Sequence, residues 1–302
     1  MHWIIEPGFF SSGPVHVALA VGGISAVVSA VVGVFTVMRG QSFAGHALTD
    51  VSAAGGAAAF YVGVGPFLGF ISAVLIGGGT MEAIGVQRVR GRDLATGIVL
   101  GVATGLTALF LFLGATSGAT TGAAQTVLFG SIFTIDPSTV PAVIVCGLIA
   151  VGLILLLYRP LLLASTNVDL AAARGVRVRL IGLGFILALS LAVALSSLAI
   201  GAILSTTLLI GPPATALRLT NRFGAAIAVA GAIGVGATWL GALLAYDSYD
   251  WGAAHAGFPV SSFIVLLTFA SYLIAGLPPV RSRVGARRIG PLPSHGSRSD
   301  VL

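Results

Sequence analysis

Residues 43–63 read F-A-G-H-A-L-T-D-V-S-A-A-G-G-A-A-A-F-Y-V-G, and the reading of this stretch decides the fold. At about 1.5 Å of rise per residue a helix of this length crosses the hydrocarbon core of a bilayer. Its apolar run is interrupted by two ionisable residues, His46 and Asp50. Four residues is slightly more than one helical turn, so both side chains project from one face. An ionisable group at membrane depth costs roughly 3 kcal/mol or more, so two on one face call for a reason. An imidazole nitrogen with a carboxylate oxygen suits borderline divalent cations such as Zn²⁺ or Mn²⁺. The other reading is structural: a polar pair that ties neighbouring helices together.

The rest of the chain supports a membrane setting. Of 302 residues, 57% are hydrophobic and 8% charged, against roughly 25% charged in a soluble domain. This composition implies an all-α polytopic membrane protein. Its 42 glycines suit helices that approach closely without water to drive them together. No charged n-region, short apolar core and cleavage site opens the chain, so no removed signal peptide is expected. All 15 basic residues are arginine. That excludes a Walker A lysine and Schiff-base chemistry, so ATP hydrolysis would need a separate chain. No aromatic–basic interleaving accompanies the net charge of +6, and no nucleic-acid partner is expected. The one cysteine, Cys146, leaves neither a disulfide framework nor a thiolate cluster, and reads as a small apolar residue.

Apolar runs long enough to span fall at about 15–38, 43–63, 66–86, 94–114, 138–158, 180–198, 199–217, 223–245 and 259–277. Arginines cluster at 39, at 88–92, at 159–179, at 218–222 and from 281 onward. With nine spans and the N-terminus outside, every cluster faces the cytoplasm, as does the C-terminus. Eight spans with a re-entrant 199–217 segment would split the last two clusters across the membrane. Residues 1–277 thus read as one transmembrane domain, and 278–302 as a basic, disordered cytoplasmic tail. Residues 159–179 read as a cytoplasmic connection ending in a short helix, with Asn167 placed to cap it and Gly175 to end it. Gly211-Pro212-Pro213 removes two helical donors, which predicts a broken helix lining a path, or else a packing kink.

Several of these local patterns resemble one family: the membrane permeases of ABC importers for zinc, manganese and iron. Gly45-His46-Ala47-Leu48-Thr49-Asp50, with Gly55 following, resembles the family's G-D-A-L-S-H signature, but with Asp and His exchanged. Leu128-Phe129-Gly130-Ser131-Ile132 resembles L-F-G-N-I, and Ala199-Ile200-Gly201-Ala202-Ile203-Leu204 with Pro213-Ala214-Thr215-Ala216 resembles V-G-x-L-L ending in P-A-A-T-A. Pro259 through Leu266 resembles P-x-G-x-x-I-V-L with Ser261 for glycine. Asn167, Ala171 and Gly175, with Asp169 and Arg174 among them, resemble the ATPase-coupling segment with its leading acid lost. The resemblance implies a type II ABC importer-like permease with about nine transmembrane helices and no enzymatic activity of its own. It further implies a second copy of the chain, an ATP-binding cassette ATPase subunit and an extracytoplasmic metal-binding protein as partners. The cargo would be a divalent metal ion met at His46 and Asp50, with no permanently bound cofactor.

The alternatives are a permease for chelated iron or cobalamin-like cargo, and a proton-coupled secondary transporter using His46 and Asp50. An intramembrane hydrolase lacks its chemistry, since there is no H-E-x-x-H motif. Three further expectations concern single features. His16 reads as an interfacial or packing histidine, and Glu82 as a neighbour of Arg88. The insertion 247–255 reads either as a solvated loop or as a metal-gathering cluster of Asp247, Asp250 and His255.

Overall fold

A computed structural model describes residues 9–84, 92–116, 122–130, 132–166, 168–250 and 257–277. Its helices are α1 (Gly13–Met38), α2 (Ser42–Val62), α3 (Pro66–Ile84), α4 (Arg92–Thr116), a short α5 (Ala123–Phe129), α6 (Val140–Thr166), a short α7 (Val168–Ala173), α8 (Val178–Ile200), α9 (Ala202–Leu219), α10 (Phe223–Asp247) and α11 (Val260–Gly276). No strand occurs among the described residues. The nine longer helices correspond one for one to the apolar runs of the sequence. Seven are long and apolar enough to cross a membrane by length and composition. The other two are α2, diluted by His46, Asp50 and its hydroxyl residues, and α11, with 17 residues.

The core is built around α8. In its most apolar window 83% of residues are buried, against 17% for α4. A helix apolar all round belongs in the centre of a bundle, and α8 packs against α1, α3, α6 and α9. Three hydroxyl bonds tie it to its neighbours: Ser25 donates to the Leu195 carbonyl at 3.1 Å, Ser29 meets Ser196 at 2.7 Å, and Ser190 donates to the Val74 carbonyl at 3.0 Å. Such bonds are individually small, about 0.6 kcal/mol each. Close backbone approach adds dispersion contact elsewhere. A Cβ on Gly55 would collide with the Gly69 carbonyl oxygen, and the reverse also holds, so α2 and α3 cross almost backbone on backbone.

Two expectations are corrected. Pro212 and Pro213 do not break their helix: α9 is continuous through both. Pro213 deprives the Leu209 carbonyl of its donor four residues on, and that oxygen lies against Gly33 of α1, so close that a Cβ there would strike it. A Cα–H donor at that spot offers a weak substitute bond. The real interruption is Gly201, a single residue with φ +83° between α8 and α9, beyond which α9 returns beside α1. Second, α6 does not end at Arg159 but runs through Pro160 to Thr166, because Leu161 and Ala164 are buried in the core. The expected neighbour of Glu82, Arg88, lies outside the described residues; within them, the Glu82 charge of α3 acts on Arg39, at the end of α1.

Candidate functional site

The site begins where α2 carries His46 and Asp50 between two unlike neighbours. As the spacing predicts, they stand one turn apart, but among the described residues no bond joins them. His46 Nδ1 lies 3.1 Å from the Thr206 hydroxyl of α9. Thr206 in turn lies 3.2 Å from the hydroxyl of Thr49, which donates to the His46 carbonyl at 2.6 Å. Asp50 instead turns to α4, where Thr104 donates to its Oδ2 at 3.0 Å. The same Thr104 hydroxyl also lies 2.9 Å from the Leu100 carbonyl. One proton serves two acceptors, so Asp50 holds only a share of it. Both His46 and Asp50 are half-buried, whereas Thr49 is fully buried.

Of the hydroxyl partners, Thr49 lies within the Gly45–Asp50 motif, whereas Thr104 and Thr206 fall outside the motifs quoted above. Thr206 belongs to the Ser205-Thr206-Thr207 run that precedes the prolines, and that run is a usable signal. Thr104 offers none, since its role depends on which helix packs beside α2.

The start of α9 is placed by a crossing of two sequence motifs. Gly130, after α5, and Gly201, between α8 and α9, have φ of +74° and +83°. A Cβ on Gly201 would collide with the Gly130 amide nitrogen and the Leu128 carbonyl oxygen. Only glycine fits both the left-handed backbone and the contact. The crossing sets the first turn of α9, and Thr206 follows one turn later. Ser131 lies outside the described residues.

At the far end of α1, Arg39 stacks over the Phe185 ring at 5.0 Å, with the buried Glu82 nearby. Burial lowers the Arg39 pKa from its ordinary value, and the Glu82 charge works in the opposite direction. On the expected coupling segment, Ala171 is fully buried and Arg174 is exposed. Gly175 has φ +76° and ends α7 as predicted. Its amide bonds the Ala172 carbonyl, and that of Val176 bonds the Ala171 carbonyl, a Schellman arrangement. Asn167 falls outside the described residues, as does the side chain of Asp169. His255 lies outside them too, and with it the expected 247–255 cluster. His16 bonds the Phe10 carbonyl at 2.7 Å through Nε2 and is exposed, consistent with an interfacial role.

Three cavities stand out: one of about 440 Å³ beside Gly130, Tyr246 and Phe258, one of about 550 Å³ beside Phe67, Thr126 and Asp136, and one of about 610 Å³ beside Gly23, Gly147 and Trp239. None of the three is lined by His46 or Asp50. Among the described residues no three His, Cys, Asp or Glu side chains gather into a metal site. One chain thus offers one nitrogen and one carboxylate on a helix face, and none of these chambers around them.

Three known proteins each match between 72% and 91% of this chain. The chain is 30% identical over 227 residues to the manganese transport system membrane protein MntC of Halalkalibacterium halodurans, covering 72% of this chain and 74% of that one. It is 29% identical over 258 residues to the manganese import system permease protein ScaB of Streptococcus parasanguinis, covering 85% and 86%. The solved structure of PsaBC from Streptococcus pneumoniae in complex with Fab superposes with a TM-score of 0.75 at 25% identity, over 91% of this chain and 95% of that one. The profile of the ABC 3 transport family matches residues 14–276, which takes in all nine long helices but the first residue of α1. The chain therefore belongs to the ABC 3 transport family, as a multi-pass, non-catalytic membrane subunit.

Proposed function

We propose that this protein is the permease subunit of an ATP-driven importer of divalent metal ions, with Mn²⁺ the favoured cargo among manganese, zinc and iron. The observation that carries the reading is the face of α2. His46 and Asp50 present a nitrogen and an oxygen ligand one turn apart, each steadied by a threonine on a different helix. Two such faces, one from each copy in a homodimer, would supply four N/O ligands, a set suited to a borderline cation. Support for manganese comes from relatives whose names carry that metal. Membership in an ABC transport family favours this reading over a self-contained proton-coupled carrier. A roomier path for a chelate finds no support at His46 and Asp50, which line none of the three cavities.

The arginine distribution supports an N-terminus outside and a cytoplasmic C-terminus, which puts α7 on the side of a separate ATPase chain. There α7 with its Gly175 ending docks to that chain, while an extracytoplasmic binding protein delivers the ion.

The test is uptake of radioactive Mn²⁺ by cells carrying the permease with its ATPase. His46→Ala and Asp50→Ala should each abolish uptake while the protein still reaches the membrane. Wild-type uptake by both variants would remove the metal reading. Gly175→Val should leave the permease in the membrane and lower transport-linked ATP hydrolysis. Unchanged hydrolysis and uptake would reduce the segment to a linker.

A further inference from the structure

The hydrogen bonds around His46 do more than hold a cargo contact in place. We infer that Thr206 and Thr49 form a one-way proton chain that fixes the tautomer of His46, keeping Nδ1 protonated and leaving Nε2 as the only nitrogen able to bind a metal ion.

A threonine hydroxyl carries one proton and two acceptor lone pairs. The proton of Thr49 is committed to the His46 carbonyl, at 2.6 Å. Thr49 Oγ1 can therefore only accept from Thr206, whose oxygen is 3.2 Å away. With its own proton turned to Thr49, Thr206 can only accept from His46, so Nδ1 must carry a hydrogen across the 3.1 Å contact. The opposite assignment, with Thr206 donating to Nδ1, either leaves two hydroxyl oxygens 3.2 Å apart with no proton between them or turns the Thr49 proton away from the carbonyl oxygen 2.6 Å off. Thr49 is fully buried, and water is poorly placed to relieve that repulsion.

Metal-binding histidines commonly donate their second ring nitrogen to a neighbouring oxygen, which orients the ring and sets its tautomer. Here the orienting oxygen comes from α9, whose starting point is set by the Gly130–Gly201 crossing. The terminus of the proton chain is a backbone carbonyl of α2 itself, so the direction of donation does not depend on any titrating group. Thr206 and Thr49 are thus positioning residues, and neither touches the ion.

The inference rests on His46 being the cargo contact, and its test separates the two claims. Full-length permease with ¹⁵N-labelled histidine in lipid nanodiscs, without metal, reports the tautomer directly. His46 is assigned among the five histidines by the signal lost in His46→Gln. The expected wild-type signal is Nδ1 protonated and Nε2 bare. Thr206→Val, close in shape but unable to accept, should give a mixture of tautomers, and Thr206→Ser should restore the wild-type signal. In Mn²⁺ uptake with the ATPase present, Thr206→Val should raise KM by about tenfold with little change in maximal rate, and Thr206→Ser should rescue it. A wild-type His46 protonated on Nε2, or a Thr206→Val spectrum identical to wild type, overturns the inference whatever the uptake result. If the spectra come out as expected but His46→Ala transports normally, the tautomer lock stands and the cargo role falls.

Discussion

The two flanks of α2 are built differently, and the two candidate ligands divide between them. On one side His46 meets α9, which is pinned by the Gly130–Gly201 crossing and packed beside the most buried helix of the bundle. On the other side Asp50 meets α4, the least buried of the candidate spans. His46 has a hydroxyl of its own in a directed chain, whereas Asp50 shares one proton with the Leu100 carbonyl. A transport site must hold an ion and then let it go. On the proposed reading of this face, one anchored ligand and one loosely held ligand would meet both demands, because only the second would have to move.

The largest test of this contrast is at the glycines that fix the rigid side. Gly201→Val would put a branched side chain on a left-handed backbone, costing about 1–2 kcal/mol, and drive it into the Gly130 backbone. The permease should then be nearly absent from membranes by immunoblot. On the α4 side, a Cβ placed on Gly101 would meet no other atom within 4 Å; Gly101→Ala should therefore leave abundance unchanged. Equal loss in both variants would abolish the distinction between the flanks.

Next in size is the chemistry of Asp50. Asp50→Asn keeps the shape and can still accept from Thr104 but loses the anionic oxygen. Mn²⁺ uptake should fall at least tenfold with protein abundance intact. Normal uptake would return Asp50 to the structural reading.

A smaller effect is expected at Thr104→Val. Removing half of a shared hydrogen bond costs about 0.5–1.5 kcal/mol at most, so KM for Mn²⁺ should change by no more than about tenfold. A complete loss of uptake would mean that Asp50 is as firmly anchored as His46. Smallest of all is Ser29→Ala in the core, where loss of the Ser196 partner should lower stability by about 0.6 kcal/mol. A thermal-shift assay in detergent should barely resolve it, and a collapse of the protein would show that the α1–α8 contact depends on this bond rather than on apolar packing.

Much of this is legible in the sequence because it is local. The apolar runs locate the nine longer helices, since backbone groups in lipid must bond within the segment. The four-residue spacing puts His46 and Asp50 on one face, and Gly175 ends its helix with the left-handed backbone that glycine adopts readily. The prolines at 212 and 213 show the limit of such reasoning. Their missing donors are real, but the helix is continuous, and Gly33 of α1 covers one of the freed carbonyls. Arg159-Pro160 misleads in the same way, since buried Leu161 and Ala164 carry α6 onward.

The sequence by itself determined that this is a chain of membrane helices, which residues share a turn, and that two ionisable groups stand where lipid would reject them. Those properties follow from covalent spacing and from transfer out of water, and neither requires a neighbour. Only the tertiary structure decided that His46 faces Thr206, 160 residues away, that Asp50 faces Thr104, 54 residues away, and that the motifs around Gly130 and Gly201 are two halves of one crossing. Contacts at such separations are set by how closely helices approach and what lies between them, and no local periodicity encodes that.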